Sequence, residues 1–199
     1  MIFIFQLLFL VATYFICAIP FGLVITKAFL RRDIRESGSG NIGATNVTRI
    51  GGKKLGALTL VLDGAKGALM LIVARFLFND VAHLHLFLVI VAIVAVLAHV
   101  YPIYLNFKGG KGVATALAVL LALDPIVGLV SVIMWIACFL IFRISALASL
   151  VAVFSSLAVS LYFDAPPSEI FLCAFLFALI TIRHKENIAR MIAGQEKKM

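Results

Sequence analysis

The sequence predicts an all-α membrane protein: a polytopic bundle of seven transmembrane helices, N-terminus outside and C-terminus cytoplasmic. Three observations carry this expectation. The 199 residues are 64% hydrophobic and only 13% charged, with a mean hydropathy of +1.17, whereas soluble domains carry about 25% charged residues. The apolar residues come in runs near the roughly 20 residues a helix needs to cross the hydrocarbon core. The basic residues are segregated among the breaks between those runs.

The first span is expected at 2–26. It lacks the basic leader and small-residue cleavage site of a signal peptide and therefore reads as a retained helix. A long polar segment follows, from Lys27 to Lys54. Further spans are expected at 55–77, 86–106, 112–123, 126–142, 145–163 and 169–183, with a basic tail beyond. The 112–123 run is short, about 18 Å at 1.5 Å per residue, and without it the count falls to six. Charge argues that it crosses. Segments 27–54, 107–111, Arg143 and 183–199 hold seven, two, one and five Lys or Arg, fifteen of the seventeen, while the loops at 78–85, 124–125 and 164–168 hold none. Basic loops stay cytoplasmic, and only seven spans put all fifteen on one side.

Nothing remains for a soluble domain, so residues 1–199 are expected to form one membrane domain. The net charge of +8 suits anionic headgroups or phosphate substrates. Nucleic acid is excluded as a partner, because no soluble basic domain exists to hold it. The absence of a repeat argues against transporters built from duplicated halves. Cys17, Cys138 and Cys173 lie in apolar runs without a C-x-x-C pattern and read as packing, so no metal site and no cofactor are expected.

Three polar constellations fall on the basic side. The first is Ser37-Gly38-Ser39-Gly40-Asn41-Ile42-Gly43-Ala44-Thr45-Asn46-Val47-Thr48-Arg49. Its glycines match G-x-G-x-x-G, but no strand precedes them and no βαβ unit surrounds them, so a dinucleotide site is rejected. Glycine turns let backbone N–H groups face an anion; Ser39, Asn41, Thr45 and Asn46 add donors, and Arg49 can grip a phosphate through two parallel bonds. An anion site is preferred to a flexible linker. The second, Lys108-Gly109-Gly110-Lys111-Gly112-Val113-Ala114-Thr115, fails as a Walker motif because Val113 follows Gly112. Two ammonium groups ahead of a helix N-terminus suit a phosphate; as headgroup-seeking topology anchors the lysines would look the same, and on this loop alone the readings are level. The third is His184-Lys185-Glu186-Asn187-Ile188, where His184 and Asn187 share a helical face at i, i+3. Alone, His184 reads as a solvated histidine; beside anion loops it is a candidate for proton transfer. Asp63 and Lys66, at i, i+3 inside a span, are paired or functional. His99 either lines the site or packs. Ser145 and Ser149 begin the sixth span within reach of a bound phosphate, and His83 and His85 read as solvated on the outer loop.

These motifs, S-G-S-G-N-I-G-A-T-N-V-T-R at 37–49, K-G-G-K-G-V-A-T at 108–115 and H-K-E-N-I at 184–188, resemble in order and setting the three signatures of the acyl-phosphate:glycerol-3-phosphate acyltransferases. The resemblance covers essentially the whole chain. It implies seven spans in a bacterial inner membrane and an active site on the cytoplasmic face. It implies transfer of a fatty acyl group from acyl phosphate to the 1-hydroxyl of glycerol 3-phosphate. It carries glycerol 3-phosphate binding onto Ser39 and Arg49. It carries the acyl-phosphate headgroup onto Lys108, Gly109, Gly110, Lys111 and Gly112, with Lys111 near both phosphates. His184 and Asn187 become active-site residues, and Ser149 is a looser match. The H-x-x-x-x-D pair of other glycerolipid acyltransferases is absent. Membrane lipid and the two substrates are the expected partners, and a monomer the expected state. Either His184 or the substrate's own phosphate takes the hydroxyl proton, with a slight preference for the phosphate. The rival readings are an anion or lipid transporter, which would put polar residues at the bilayer midplane, and a non-catalytic assembly factor, which would leave three anion loops unexplained.

Overall fold

A backbone in lipid must satisfy its own N–H and C=O groups, and a helix does so within one segment. The computed structural model, which describes residues 1–199, accordingly contains nine α-helices and no strand. The chain divides into two units, Met1–Val119 and Leu120–Met199.

The first unit holds α1 (Ile2–Cys17), α2 (Phe21–Leu30), α3 (Ala44–Leu77), α4 (Leu84–Val100) and the start of α5 (Val113–Leu123). Helix α1 packs on α3 and α4, and α3 packs on α2 and α4. The expected 2–26 span is interrupted. Pro20 lacks an N–H, α1 stops at Cys17, and α2 restarts at Phe21 with Val24 donating to the Pro20 carbonyl. The polar segment after it is more ordered than a linker. Helix α2 runs to Leu30, a 3₁₀ turn occupies Ile34–Glu36, and α3 begins at Ala44, ten residues before the polar segment was expected to end. Helix α3 breaks at Gly52, whose φ of 83° and ψ of 173° suit glycine. The short limb before the break folds back onto the long one, so closely that a Cβ on Gly56 would overlap the Thr48 hydroxyl. Helix α4 ends at Val100, short of the expected 106, because Pro102 cannot continue it, and a 3₁₀ turn follows at Ile103–Leu105.

The second unit holds the end of α5, then α6 (Pro125–Phe142), α7 (Ser145–Tyr162), α8 (Pro167–Arg183) and α9 (Lys185–Ile192). Helices α6 and α7 pack together, as do α7 and α8. Asp124 caps α6 by accepting from the Ile126 and Val127 N–H groups, with Pro125 at the first helical position. Helix α9 turns away from α8 by 63°.

By length and composition five helical segments suffice to cross a membrane, and a sixth if α8 and α9 count as one bent span. Large apolar side chains such as Phe3, Phe76, Ile141, Phe154 and Phe171 stand exposed, as a lipid-facing surface requires. Several hydroxyls inside the spans return to their own helix: Thr13 donates to Phe9, Thr26 to Gly22, Thr59 to Leu55, Ser131 to Val127 and Ser156 to Val153.

Helix α2 meets the 37–43 loop without a side chain between them, since a Cβ on Gly22 would overlap the Ile42 carbonyl oxygen. Leu23, Ile34, Ile42, Val47 and Leu105 form one buried cluster beside this contact. Overpacking of this kind destabilises by about 1–3 kcal/mol. Gly22→Ala is therefore expected to lower the thermal midpoint in detergent, and an unchanged midpoint would show that the loop yields freely.

Candidate active site

The 37–49 segment is organised around one buried amide. Asn46 is 1% exposed. Its Oδ1 accepts from the Ser39 N–H at 2.9 Å, and its Nδ2 donates to the carbonyls of Ile34, Ser37 and Asn41 at 3.3, 3.0 and 2.9 Å. Gly38 passes so near, at a φ of 63°, that a Cβ there would overlap Asn46 Oδ1. Asn41 accepts from the Gly43 N–H at 2.8 Å just ahead of α3. Among the residues expected to bind an anion, Asn46 and Asn41 thus build the loop. Ser39 and Arg49 stand exposed at its surface, with Thr45 half-buried one helical turn before Arg49. Just upstream, Asp33 accepts from the Arg35 backbone and from its guanidinium at 2.6–3.0 Å. Those bonds lower the Asp33 pKa from its ordinary 3.8 to about 2.

The K-G-G-K turn folds back on α4. Asn106 and Phe107 both take left-handed backbone conformations, φ 49° and 61°, to reverse the chain. The Gly109 N–H then donates to the Val100 carbonyl at 3.1 Å, and the Gly110 N–H to the His99 carbonyl at 3.2 Å. Two of the amide donors expected to face an anion are therefore occupied in closing the end of α4. Lys108 is exposed and Lys111 half-buried. Gly112 follows with a φ of 86°, and its carbonyl accepts from Ala116 as α5 begins. Leu105, three residues before Lys108, lies in the same cluster as Ile42 and Val47. The structure thus seats the first and second motifs on one apolar base.

Beneath the turn lies a polar cluster that the sequence left ambiguous. Asp63, Lys66 and His99 are 2%, 5% and 4% exposed. Lys66 Nζ donates to Asp63 Oδ1 and to the Ile19 carbonyl, both at 2.8 Å, and lies 3.1 Å from His99 Nδ1. Thr115 donates to the Asp63 carbonyl at 2.8 Å, bringing in α5. The i, i+3 spacing signalled the Asp63–Lys66 pair; only the antiparallel packing of α3 on α4 reveals His99 as its third member.

In the second unit, His184 occupies the bend between α8 and α9 and is buried. Its Nδ1 lies 2.8 Å from the Ile180 carbonyl. A carbonyl can only accept, so Nδ1 carries a proton in this contact. Asn187, one turn on, donates to Glu196 Oε1 at 2.7 Å, while Arg190 pairs with Glu196 Oε2 at 2.7 Å. Ser149 accepts from Trp135 Nε1 at 3.2 Å and donates to the Ser145 carbonyl at 2.8 Å. His83 is exposed as expected, but His85 is half-buried in the first turn of α4.

These features define a polytopic membrane protein with cationic, glycine-rich turns at its helix ends. A model of the family described as glycerol-3-phosphate acyltransferase matches residues 7–194. The chain is 44% identical over 190 residues to the glycerol-3-phosphate acyltransferase of Caulobacter vibrioides, covering 96% of this chain and 86% of that one. It is 43% identical over 192 residues to that of Anaeromyxobacter sp., with 94% and 93% covered. Two crystal structures of PlsY (YgiH), an integral membrane glycerol 3-phosphate acyltransferase, share the fold. The glycerol 3-phosphate form has a TM-score of 0.90 at 40% identity, and the lysophosphatidic acid form 0.87 at 39%, each covering 98% of this chain and 95% of the other. The chain belongs to the glycerol-3-phosphate acyltransferase family and is an integral membrane acyltransferase.

Removing the Asn46 amide takes from the Ser39 N–H and the Asn41 carbonyl the partner it gives them, at about 1–3 kcal/mol for each unsatisfied group. Asn46→Asp keeps an acceptor for Ser39 but turns a carboxylate toward three carbonyls. It is expected to unfold at a clearly lower temperature than Asn46→Ala, and the reverse order would refute the organising role.

Proposed function

We propose that the chain transfers a fatty acyl group from acyl phosphate to the 1-hydroxyl of glycerol 3-phosphate, releasing lysophosphatidic acid and inorganic phosphate. One observation carries this reading: the Arg49-bearing loop and the Lys108–Lys111 turn are anchored on the same apolar cluster through Ile42, Val47 and Leu105. Two separate cationic grips seated together suit a reaction between two anionic phosphate compounds. The single family model over residues 7–194 supports reading the whole chain as one catalytic domain, and a monomer is the state proposed for it. The segregation of fifteen of the seventeen Lys and Arg supports seven crossings of a bacterial inner membrane, N-terminus outside and polar loops on the cytoplasmic face. Helix α5, eleven residues and about 17 Å long, is the short crossing.

Acyl phosphate is a mixed anhydride, so phosphate is already a good leaving group. The hydroxyl oxygen attacks the acyl carbon, the bond from that carbon to the phosphate oxygen breaks, and the hydroxyl proton passes to a base. What the protein must supply is orientation and relief of anionic repulsion. Ser39 and Arg49 hold glycerol 3-phosphate, with Thr45 alongside Arg49 and with Asn41 and Asn46 shaping the loop beneath them. Lys108, Lys111 and the backbone at 111–112 hold the acyl-phosphate headgroup, with Gly109 and Gly110 shaping the turn beneath it. His184, Asn187 and Ser149 serve the glycerol 3-phosphate side. Of the two candidate bases, the substrate phosphate and His184, the histidine would take the proton on Nε2, since its Nδ1–H is given to the Ile180 carbonyl.

Purified protein given acyl phosphate and glycerol 3-phosphate is expected to release phosphate, and a folded protein that releases none defeats the reading. Arg49→Ala is expected to weaken glycerol 3-phosphate by about 2 kcal/mol, near thirtyfold in apparent affinity, the scale of a charge-assisted bidentate bond. An unchanged KM would remove Arg49 from the site. A base must be unprotonated to act, so the wild-type rate should fall as pH drops through the titration of that base. His184→Ala is expected to erase this acidic arm of the pH–rate profile; its persistence would assign the base to the substrate's phosphate.

A further inference from the structure

The cluster of Asp63, Lys66 and His99 has no part in the chemistry above, yet its histidine lies directly under the K-G-G-K turn. A Cβ on Gly110 would overlap His99 Nε2 and come within 2.9 Å of Cε1 and 3.0 Å of Cδ2. The three nearest atoms all belong to the imidazole. At Gly109 the obstruction is different. A Cβ there would meet the His99 carbonyl and Pro102, with the Val100 carbonyl at 2.8 Å, so backbone and proline enforce glycine whatever the His99 side chain is. Gly110 is thus matched to the histidine ring, and Gly109 to the end of α4.

The ring is not free to swing aside. Its Nδ1 lies 3.1 Å from Lys66 Nζ and 3.5 Å from Asp63 Oδ1. Lys66 is itself held by Asp63, by the Ile19 carbonyl and by the face of Phe21, 5.6 Å from the ring centroid. The Gly110 N–H is tied to the carbonyl of the same histidine. We infer that His99 is a positioning residue for the acyl-phosphate turn: clamped by Lys66 and Asp63, its imidazole is the floor on which Gly110 rests and so sets where Lys111 and Gly112 stand. This rests on the reading that residues 108–112 hold the acyl-phosphate headgroup.

A double-mutant cycle tests it, using the full-length protein in detergent and varying each substrate in turn. The four proteins are wild type, Gly110→Ala, His99→Asn and the double variant, with Gly109→Ala alone and in the His99→Asn background for comparison. Asparagine keeps an oxygen where Nδ1 meets Lys66 but vacates the space under Gly110. Gly110→Ala is expected to lower kcat/KM for acyl phosphate at least tenfold while KM for glycerol 3-phosphate stays within twofold. His99→Asn is expected to act on the same substrate. In the His99→Asn background, adding Gly110→Ala should cost less than threefold, because the collision is gone, whereas Gly109→Ala should remain as harmful as in wild type. A merely structural histidine would lower stability without moving the two substrates differently. Equal costs for Gly110→Ala in both backgrounds, or no cost in either, would overturn the inference. If Gly109→Ala also spares acyl phosphate, the assignment of that substrate to the turn fails first, and the inference falls with it. Should His99→Asn not fold, His99→Ala empties the same space and the cycle is read in that background.

Discussion

The first unit is tied together at the Lys66 ammonium. A cation enclosed by apolar helices is tolerated only when it is paired and its hydrogen bonds are met. Lys66 meets this requirement with groups from three separate places: Asp63 on its own helix, the Ile19 carbonyl released by the break between α1 and α2, and His99 on α4. The break at Pro20 is therefore more than an interruption, because an unbroken helix would have kept the Ile19 carbonyl for itself. Thr115 extends the junction to α5 through the Asp63 carbonyl, and Cys17 approaches the Lys66 carbonyl from α1. Helices meet here without the driving force that water supplies to a soluble core, so close approach and satisfied polar contacts must hold them. The small residues Gly64 and Gly67 allow α3 that approach to Ala118 and Thr115.

The same constraint sorts the motif residues by task. Those engaged within the fold, Asn46 in the first loop and Gly109 and Gly110 in the second, shape backbone. Those exposed or half-exposed on the shaped backbone, Ser39, Arg49, Lys108 and Lys111, carry the groups an anion would seek. Lipid permits this division only at the helix ends, where water can reach charged groups and where irregular backbone can be covered by protein. The 37–49 loop meets that second condition with Asn46, whose single amide ties one N–H and three carbonyls together.

Much of this was legible in the sequence, and the limits of legibility are physical. The apolar runs of α3, α6, α7 and α8 lie where expected, because span length and hydropathy are local properties, while α4 stops early at Pro102. The start of α3 was hidden because Asn46, Thr48, Arg49 and two glycines read as loop, and only the burial of Val47 and Ile42 against Leu105 and Leu23 makes the segment helical. Pro20 was visible, but a proline inside an apolar run marks a kink or a stop without saying which. His99 was left between two roles because its partners lie thirty or more positions away, at a register set only when α3 and α4 pack. The Nδ1 proton of His184 depended likewise on a carbonyl that no residue type can signal.

These distinctions bear on how a signature motif is read. The run K-G-G-K suggests, from composition alone, a cradle of amide donors between two cations. The fold gives the two glycines another reason to be there: their amides close α4, and their missing side chains leave room for its last carbonyls and for His99. Loss of activity on replacing such a glycine would then report the position of the turn and not a lost bond to substrate. On the proposed reading an anion is met after the fold-back, at Lys111 and the opening of α5, where the helix dipole favours negative charge. A glycine-rich motif at a membrane surface can thus be a folding instruction in its middle and a binding site at its margins.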